Sequence, residues 1–496
     1  MADRLKVIVV DDDPTGSQTV HSCPLLLRWD PDTLRRALAD PAPLLFVLAN
    51  TRALAPEPAR KRVHQIAANL RRALQEAEAA GTLRHWLIVS RGDSTLRSHF
   101  PLECEAIAAA FGDVAAATAA DTGWALSAFD AVVLVPAFLP GGRTTVDGVH
   151  LLHGQPVHTT PFARDGLFGY GSSALPEWVE EKTAGRIPAA AVQRLGLAEL
   201  EAAAAGPEGH QRLCRRLAGF EGGVCVAVDA ERPQQLATLG AVVRELTAPA
   251  AAERWGRPRR FLFQSAASLL NGLVPLPPQP RDAAGLAALR RCDGHGQPRP
   301  GLVLVGSHVP LADAQLEVLL ADPGCSGVEI AVGRLARLLE GATPAELLAS
   351  LEQAWLEQLQ QVLASGRTPV LFSSRGEVPC RSAAERRRLG LELAALMARL
   401  AARLAPQLGY LISKGGITTH TLLADGLVCP QVALQGQLLP GLSLVLTPAD
   451  AVVADLPVVT FPGNLGDAST LHQAWRLLED GAGGADGGAL AGTCSR

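Results

Sequence analysis

A two-domain α/β protein, each domain a mostly parallel sheet flanked by helices, is what the sequence predicts, and three observations predict it. Short apolar runs repeatedly end in an abrupt cluster of small, polar or charged residues, the pattern of buried strands emptying into loops. Helical stretches lie between several of these runs, and such alternation argues for parallel, doubly wound sheets. The pattern lapses in a Pro-, Gly- and Arg-rich stretch, 273–301, and then restarts. At 496 residues the chain exceeds one ordinary core, so two domains are the default. The expected boundaries are 1–272, a connecting segment 273–301, and 302–479, with a Gly/Ala-rich tail, 480–496, expected to be disordered. Ligands of open α/β sheets collect at the carboxyl ends of strands, so the active site is expected in the cleft between the domains.

In the first half, Leu5–Val10 leads to Asp11-Asp12-Asp13-Pro14-Thr15-Gly16-Ser17, and Leu44–Leu48 leads to Ala49-Asn50-Thr51-Arg52. An alanine-rich helix is predicted over 58–80. Trp86–Val89 then opens into Arg91-Gly92-Asp93-Ser94-Thr95-Leu96-Arg97, which offers two guanidinium groups, one carboxylate and two hydroxyls. Ala131–Val135 leads to Gly141-Gly142-Arg143-Thr144, Val224–Val228 to Asp229, and Arg260–Phe263 to Gln264-Ser265. Between them, 148–171 has no clear period and many turn residues, and reads as a long functional loop or lid. Its His150, His153 and His158 lack a known metal-ligand spacing, so satisfied or solvent-facing histidines are expected.

In the second half, Leu302–Val305 leads to Gly306-Ser307, with a helix from about Leu311. Pro369–Phe372 leads to Ser373-Ser374-Arg375-Gly376. A long helix, 383–404, precedes Tyr410–Ile412 and Ser413-Lys414-Gly415-Gly416-Ile417-Thr418. Pro457–Thr460 leads to Pro462-Gly463-Asn464-Leu465-Gly466 and a helix near 468–478.

Composition narrows the function classes. A formal net charge of −4 gives no electrostatic case for nucleic-acid or membrane binding. Nine cysteines without a CxxC pair point to a reducing compartment and no disulfide framework. Met1-Ala2-Asp3-Arg4 runs directly into a strand, and no apolar run is long enough to span a bilayer. A cytoplasmic protein acting on small molecules is expected; the oligomeric state stays open.

The polar clusters divide by chemistry. Arginines supply forks for a carboxylate or phosphate, and aspartates accept from sugar hydroxyls or handle a proton. Both are concentrated in the first half. The second half carries glycine turns after strands, Gly306-Ser307, Gly415–Thr418 and Gly463–Gly466, where backbone N–H groups can approach an anion. Lys414, one of only four lysines, stands beside the central turn, and the set looks like a nucleotide phosphate cradle. Neither a GxxxxGK[ST] loop nor a protein-kinase HRD…DFG set exists. The natural division is substrate in the first domain, nucleotide in the second, and phosphoryl transfer between them, with Asp12, Asp13 or Asp93 orienting the acceptor hydroxyl. Two alternatives stand beside this. Asp11-x-Asp13-x-Thr15 matches the signature of haloacid-dehalogenase-type phosphatases, with Asp11 as nucleophile. A non-catalytic sensor binding an acid and a nucleotide would also use such strand ends.

Taken together, these motifs resemble the four-carbon acid sugar kinases, which act on threonate, erythronate and 3-oxo-tetronates. The resemblance rests on Asp12-Asp13-Pro14-Thr15-Gly16, Asn50-Thr51-Arg52, Arg91-x-Asp93-Ser94-Thr95, Gly142-Arg143-Thr144 with Gly148, Gly306-Ser307, Lys414–Thr418 and Gly463-Asn464, in that order. It implies an ATP- and Mg²⁺-dependent kinase phosphorylating the terminal hydroxyl of a four-carbon sugar acid. It further implies that Asp12, Arg52, Arg91, Asp93, Ser94 and Thr95 hold the substrate, with Asp12 and Asp93 catalytic and Arg52 and Arg91 gripping the carboxylate. Ser307, Gly415, Gly416, Ile417, Thr418 and Gly463 would hold ATP. Two positions depart from the family pattern: Arg91 stands where many members have lysine, and Phe461-Pro462 precedes the last glycine motif where lysine is common.

Overall fold

The computed structural model describes residues 4–17, 19–112, 128–307, 309–340, 345–376, 380 and 382–481. They form two compact units, which divide between Pro277 and Pro278. The tail expectation falls almost wholly outside the described residues. The final helix, Thr470–Asp480, reaches its first position.

The strands of the first unit are β1 (Lys6–Asp11), β2 (Cys23–Leu26), β3 (Leu44–Leu48), β4 (Trp86–Arg91), β5 (Ala131–Val135), β6 (Arg143–Val146), β7 (Val149–Leu152), β8 (Gln155–Pro156), β9 (Gln193–Leu195), β10 (Val224–Val228) and β11 (Phe261–Ser265). Eight of them lie in the order β2-β3-β1-β4-β11-β5-β10-β9, every neighbouring pair parallel. The expected strands are present because each is an apolar run buried on both faces, as in β3 and β5, where every residue is buried. The alanine-rich helix spans Pro56–Ala79 and buries Val63, Ile66, Ala67, Leu70 and Leu74, an i, i+3, i+4 stripe that packs into the core. Two strands of this sheet escaped the sequence reading: β2, only four residues long and carrying Pro24, and β9, which carries polar Gln193 and Arg194.

The 148–171 stretch is more regular than expected. Strands β6, β7 and β8 form a three-stranded antiparallel sheet, with Arg143 opposite Leu152 and Thr145 opposite His150. Gly148 and Gly154 sit in its turns at φ +78° and +79°, so the turn residues that suggested irregular chain mark hairpin reversals.

The second unit contains β12 (Gly301–Val305), β13 (Cys325–Ile330), β14 (Thr368–Ser373), β15 (Tyr410–Lys414), β16 (Gln431–Leu439), β17 (Leu442–Leu446) and β18 (Pro457–Phe461). Their order is β13-β14-β12-β15-β18-β17-β16, parallel from β13 to β18 and antiparallel at β17 and β16. The long helix falls at Ala383–Leu404. The antiparallel hairpin was missed, and β13 holds Ser326, Gly327 and Glu329, an interrupted pattern. Part of the 273–301 stretch is folded: a helix at Ala283–Ala287 buries Leu286 and Ala287 in the second core. Arg290 there donates to Leu478 O at 3.0 Å and pairs with Glu479 at 2.8 Å.

Each sheet has one place where the chain turns from building outward on one side to building on the other. In the first unit it lies between β1 and β4, and in the second between β12 and β15. Such switch points leave a crevice at the strands' carboxyl ends.

Candidate active site

In the first unit the β1/β4 crevice collects the acidic and basic motifs. Asp11 lies opposite Arg91 in register. The amide of Asp12 donates to Arg91 O at 3.1 Å, and that of Arg52 donates to Asp12 O at 3.2 Å, so backbone bonding brings three separate motifs together. Arg52 then clasps Asp12 from Nε and Nη2, at 3.0 and 2.5 Å, and reaches Asp13 from Nη1 at 3.1 Å. Arg91 lies 3.5 Å from Asp11 and 3.6 Å from Asp12. Both arginines expected to grip a substrate carboxylate are therefore engaged by aspartates. Arg91 Nε is buried without a partner, as is Asp11 Oδ2.

The aspartates differ in electrostatic setting. Burial pushes Asp11 up to about 7, with Arg91 opposing. Burial also raises Asp12, against the pull of Arg52. For Asp93 burial acts upward too, but Arg52, Arg97 and the Thr95 hydroxyl outweigh it and hold the carboxyl at about 2. Thr95 Oγ1 donates to Asp93 Oδ2, and Arg97 Nε donates to the same oxygen at 2.8 Å. Oδ1 of Asp93 receives no donor among the described residues. A permanently charged carboxylate with one oxygen fixed and the other open is suited to receive a hydroxyl. Ser94 is buried and serves through its backbone: its carbonyl accepts from His150 Nε2 at 2.8 Å.

Supporting residues were not legible in the sequence. Thr51 Oγ1 donates to Glu103 Oε1 at 2.5 Å. Burial, then the nearby Asp12 charge, raises the Glu103 carboxyl well above its usual range. Tyr170 donates its hydroxyl to Thr95 O at 2.7 Å, and Arg97 stacks 4.8 Å over Phe162. Residues 148–171 thus pack on the Asp93 loop. Two of their histidines hold structure: His150 bonds Thr145 and Ser94, and His158 bonds Ser173, while His153 is exposed. Among the described residues the one group with metal-ligand proximity is His210, Cys214 and Glu245, on other helices. A nucleophilic Asp11 finds no support. It is fully buried, and Gly16 lies so close that an added Cβ would sit 2.2 Å from Oδ2. Lys6 and Lys182 are bound to backbone carbonyls elsewhere, and Lys61 pairs with Glu57.

In the second unit the three glycine turns lie side by side at the ends of β12, β15 and β18. The Gly306 amide donates to Lys414 O at 3.1 Å and the Gly415 amide to Phe461 O at 2.9 Å. A Cβ on Gly306 would meet Thr418 Oγ1 at 2.1 Å, and one on Gly463 would meet Ser307 Oγ at 2.8 Å. Ser307, Gly415, Thr418 and Gly463 therefore converge, with room kept by missing side chains. Gly415, at φ +116°, precedes the helix Gly416–Thr421. Ile417 is exposed. Lys414 does not face this space. It is fully buried, its Nζ donates to Pro462 O and Gly463 O at 3.1 Å each, and burial lowers it to about 7. Its place in the expected phosphate cradle is corrected to that of a strut under the Gly463 turn. Arg375, whose side chain the sequence reading did not use, donates to Ser307 O and Asp313, both at 2.8 Å, and so braces the first turn.

Residues 7–273 match the model of a sugar-binding N-terminal domain, and residues 302–471 match that of a nucleotide-binding C-terminal domain. The chain belongs to the four-carbon acid sugar kinase family. Two curated relatives of this family member are called D-threonate kinase. One, from Cupriavidus necator, is 27% identical over 83% of this chain and 86% of its own length. The other, from Salmonella typhimurium, is 28% identical over 70% of this chain and 74% of its own length. Two solved structures share the fold. One from Salmonella typhimurium LT2 has a TM-score of 0.61 at 17% identity, covering 95% of this chain and 98% of that one. Haemophilus influenzae protein HI1011 has a TM-score of 0.57 at 15% identity, covering 95% and 100%. No helix among the described residues is long and apolar enough to cross a membrane.

Proposed function

We propose that this protein is a kinase that moves the γ-phosphoryl group of magnesium–ATP to the terminal hydroxyl of a four-carbon sugar acid, with D-threonate the first acid to try. The observation that carries the reading is Asp93, ionised, held through Oδ2 and open at Oδ1, within a domain of the sugar-binding family. Asp93 orients the acceptor hydroxyl and takes its hydrogen bond. A carboxylate of such low basicity does little to deprotonate an alcohol in the ground state, but a loose phosphoryl-transfer transition state asks mainly for alignment. Arg52 and Arg91 fix Asp12, Asp13 and Asp11, and Asp12 contributes a second acceptor beside the hydroxyl. The turns at Ser307, Gly415–Thr418 and Gly463 suit a triphosphate, because backbone N–H groups can approach where no Cβ intervenes. Magnesium enters with the nucleotide, as part of that substrate.

ADP release that depends on one of D- or L-threonate, D- or L-erythronate or a 3-oxo-tetronate tests the reading. Nucleotide binding without acid-dependent ADP release would favour the sensor.

A further inference from the structure

Four arginines lie close in charge to the Asp93 loop, and three are already neutralised. Arg52 pairs with Asp12 and Asp13, Arg91 with Asp11 and Asp12, and Arg97 with Asp93 and Asp165. Arg143 forms no ion pair among the described residues. Its Nη1 donates to Gly141 O at 2.6 Å, and its guanidinium stacks 5.7 Å from the Phe138 ring. Its Nε is buried and unpartnered. The Nε/Nη2 edge, the side of a guanidinium that matches the two oxygens of a carboxylate, therefore receives no acceptor from the described residues.

The position of Arg143 is fixed. It opens β6, opposite Leu152 of β7. The hairpin is tied down by His150, which bonds Thr145 Oγ1 at 2.9 Å and Ser94 O at 2.8 Å, and by the Gly148 amide, which donates to Asp229 at 2.8 Å. Gly142, at φ +70°, leaves no space for a Cβ against the His153 ring. Arg143 feels the charges of Asp93 and Arg97, and burial, the largest influence, lowers its pKa. A partly desolvated cation with no ion-pair partner among the described residues costs free energy until an anion arrives.

We infer that Arg143 is the residue that binds the carboxylate of the sugar acid and so sets the preference for an acid over a neutral polyol. The inference rests on the proposed kinase function. It assigns to Arg143 the contact that the sequence had suggested for Arg52 and Arg91. With the carboxylate held at the start of β6, the other end of a short hydroxyl-rich chain is left for Asp93.

The test compares the full-length protein with Arg143→Ala and Arg143→Lys, using D-threonate and the neutral analogue D-threitol. Binding is read by calorimetry and turnover by ADP release. Loss of a bidentate charged contact is expected to weaken D-threonate binding and raise its KM about 10- to 100-fold. The loss should be larger for D-threonate than for D-threitol, and Arg143→Lys should recover part of it. Equal losses for acid and polyol, or an unaltered D-threonate affinity in Arg143→Ala, overturn the assignment. If the unmutated protein binds D-threonate without releasing ADP, the kinase reading fails while the binding comparison still decides Arg143. If it binds none of the four threonate and erythronate isomers and no 3-oxo-tetronate, both fail.

Discussion

Replacing Arg52 with methionine should destabilise the protein in a way that depends on pH. Asp12 is 3% exposed, and both its oxygens accept from Arg52, at 3.0 and 2.5 Å. Removing one partner of a buried pair costs about 3–5 kcal/mol, because a charge is left without compensation. The Arg52 side chain keeps 22% of its exposure, and solvent screening brings the expectation to about 2–3 kcal/mol at pH 8. The sign with pH follows from the direction of the Asp12 shift. Burial already raises its folded pKa and Arg52 is the largest opposing influence, so the variant raises it further. A carboxylate whose folded pKa exceeds its unfolded value loses stability as pH rises from the unfolded value, near 4, through the folded one. As pH falls from 8 toward 5 this penalty eases, and the deficit relative to the unmutated protein should shrink. Urea denaturation at pH 5 and pH 8 measures both deficits. The double variant Arg52→Met/Asp12→Asn should recover more than ~1 kcal/mol of the pH 8 loss, since charge and partner leave together. Equal deficits at the two pH values, with no recovery in the double variant, would refute the reasoning.

Other consequences are open to measurement. Asp93→Asn should lower kcat about 10²- to 10⁴-fold and, because Arg97 loses its ionised partner, should also lower the denaturation midpoint at neutral pH; a kcat within threefold of the unmutated protein would remove Asp93 from the acceptor site. Gly415→Ala places a Cβ on a backbone at φ +116° and should cost about 1–3 kcal/mol while raising the KM for ATP; an unchanged thermal midpoint contradicts it. His150 is fully buried, and burial lowers its pKa to about 4. Stability linked to His150 is therefore intact above its unfolded pKa of about 6.5, and about 3 kcal/mol is lost as pH falls from there through 4. NMR should show its ring signals static from pH 8 to pH 5.5, and a midpoint near 6.5 would contradict the burial argument.

The fold was legible where one physical pattern dominated. Runs such as Leu44–Leu48 and Ala131–Val135 are buried on both faces and show as unbroken apolar stretches. Strand β13, broken by Ser326, Gly327 and Glu329, and the small antiparallel sheet at 143–156 gave no such run. The site was legible as residue types and not as pairings. Asp12, Arg52, Arg91 and Asp93 announce themselves at strand ends. That Arg52 spends its charge on Asp12 and Asp13 depends on two backbone hydrogen bonds and a register, which no spacing reveals. Lys414 shows the converse: its neighbours in sequence are the glycine turn, yet its side chain runs beneath that turn to Pro462 and Gly463. Arg143 stood in a motif from the start, but what sets it apart from the arginines around it is that it forms no ion pair among the described residues.

The central claim is transfer of phosphate to a four-carbon acid, and its most direct measurement is ADP release by the purified protein with magnesium–ATP, with and without a panel of D- and L-threonate, D- and L-erythronate and 3-oxo-tetronates. The account predicts release that one acid stimulates and that Asp93→Asn abolishes. Release that no acid in the panel alters, or that Asp93→Asn leaves intact, would contradict it.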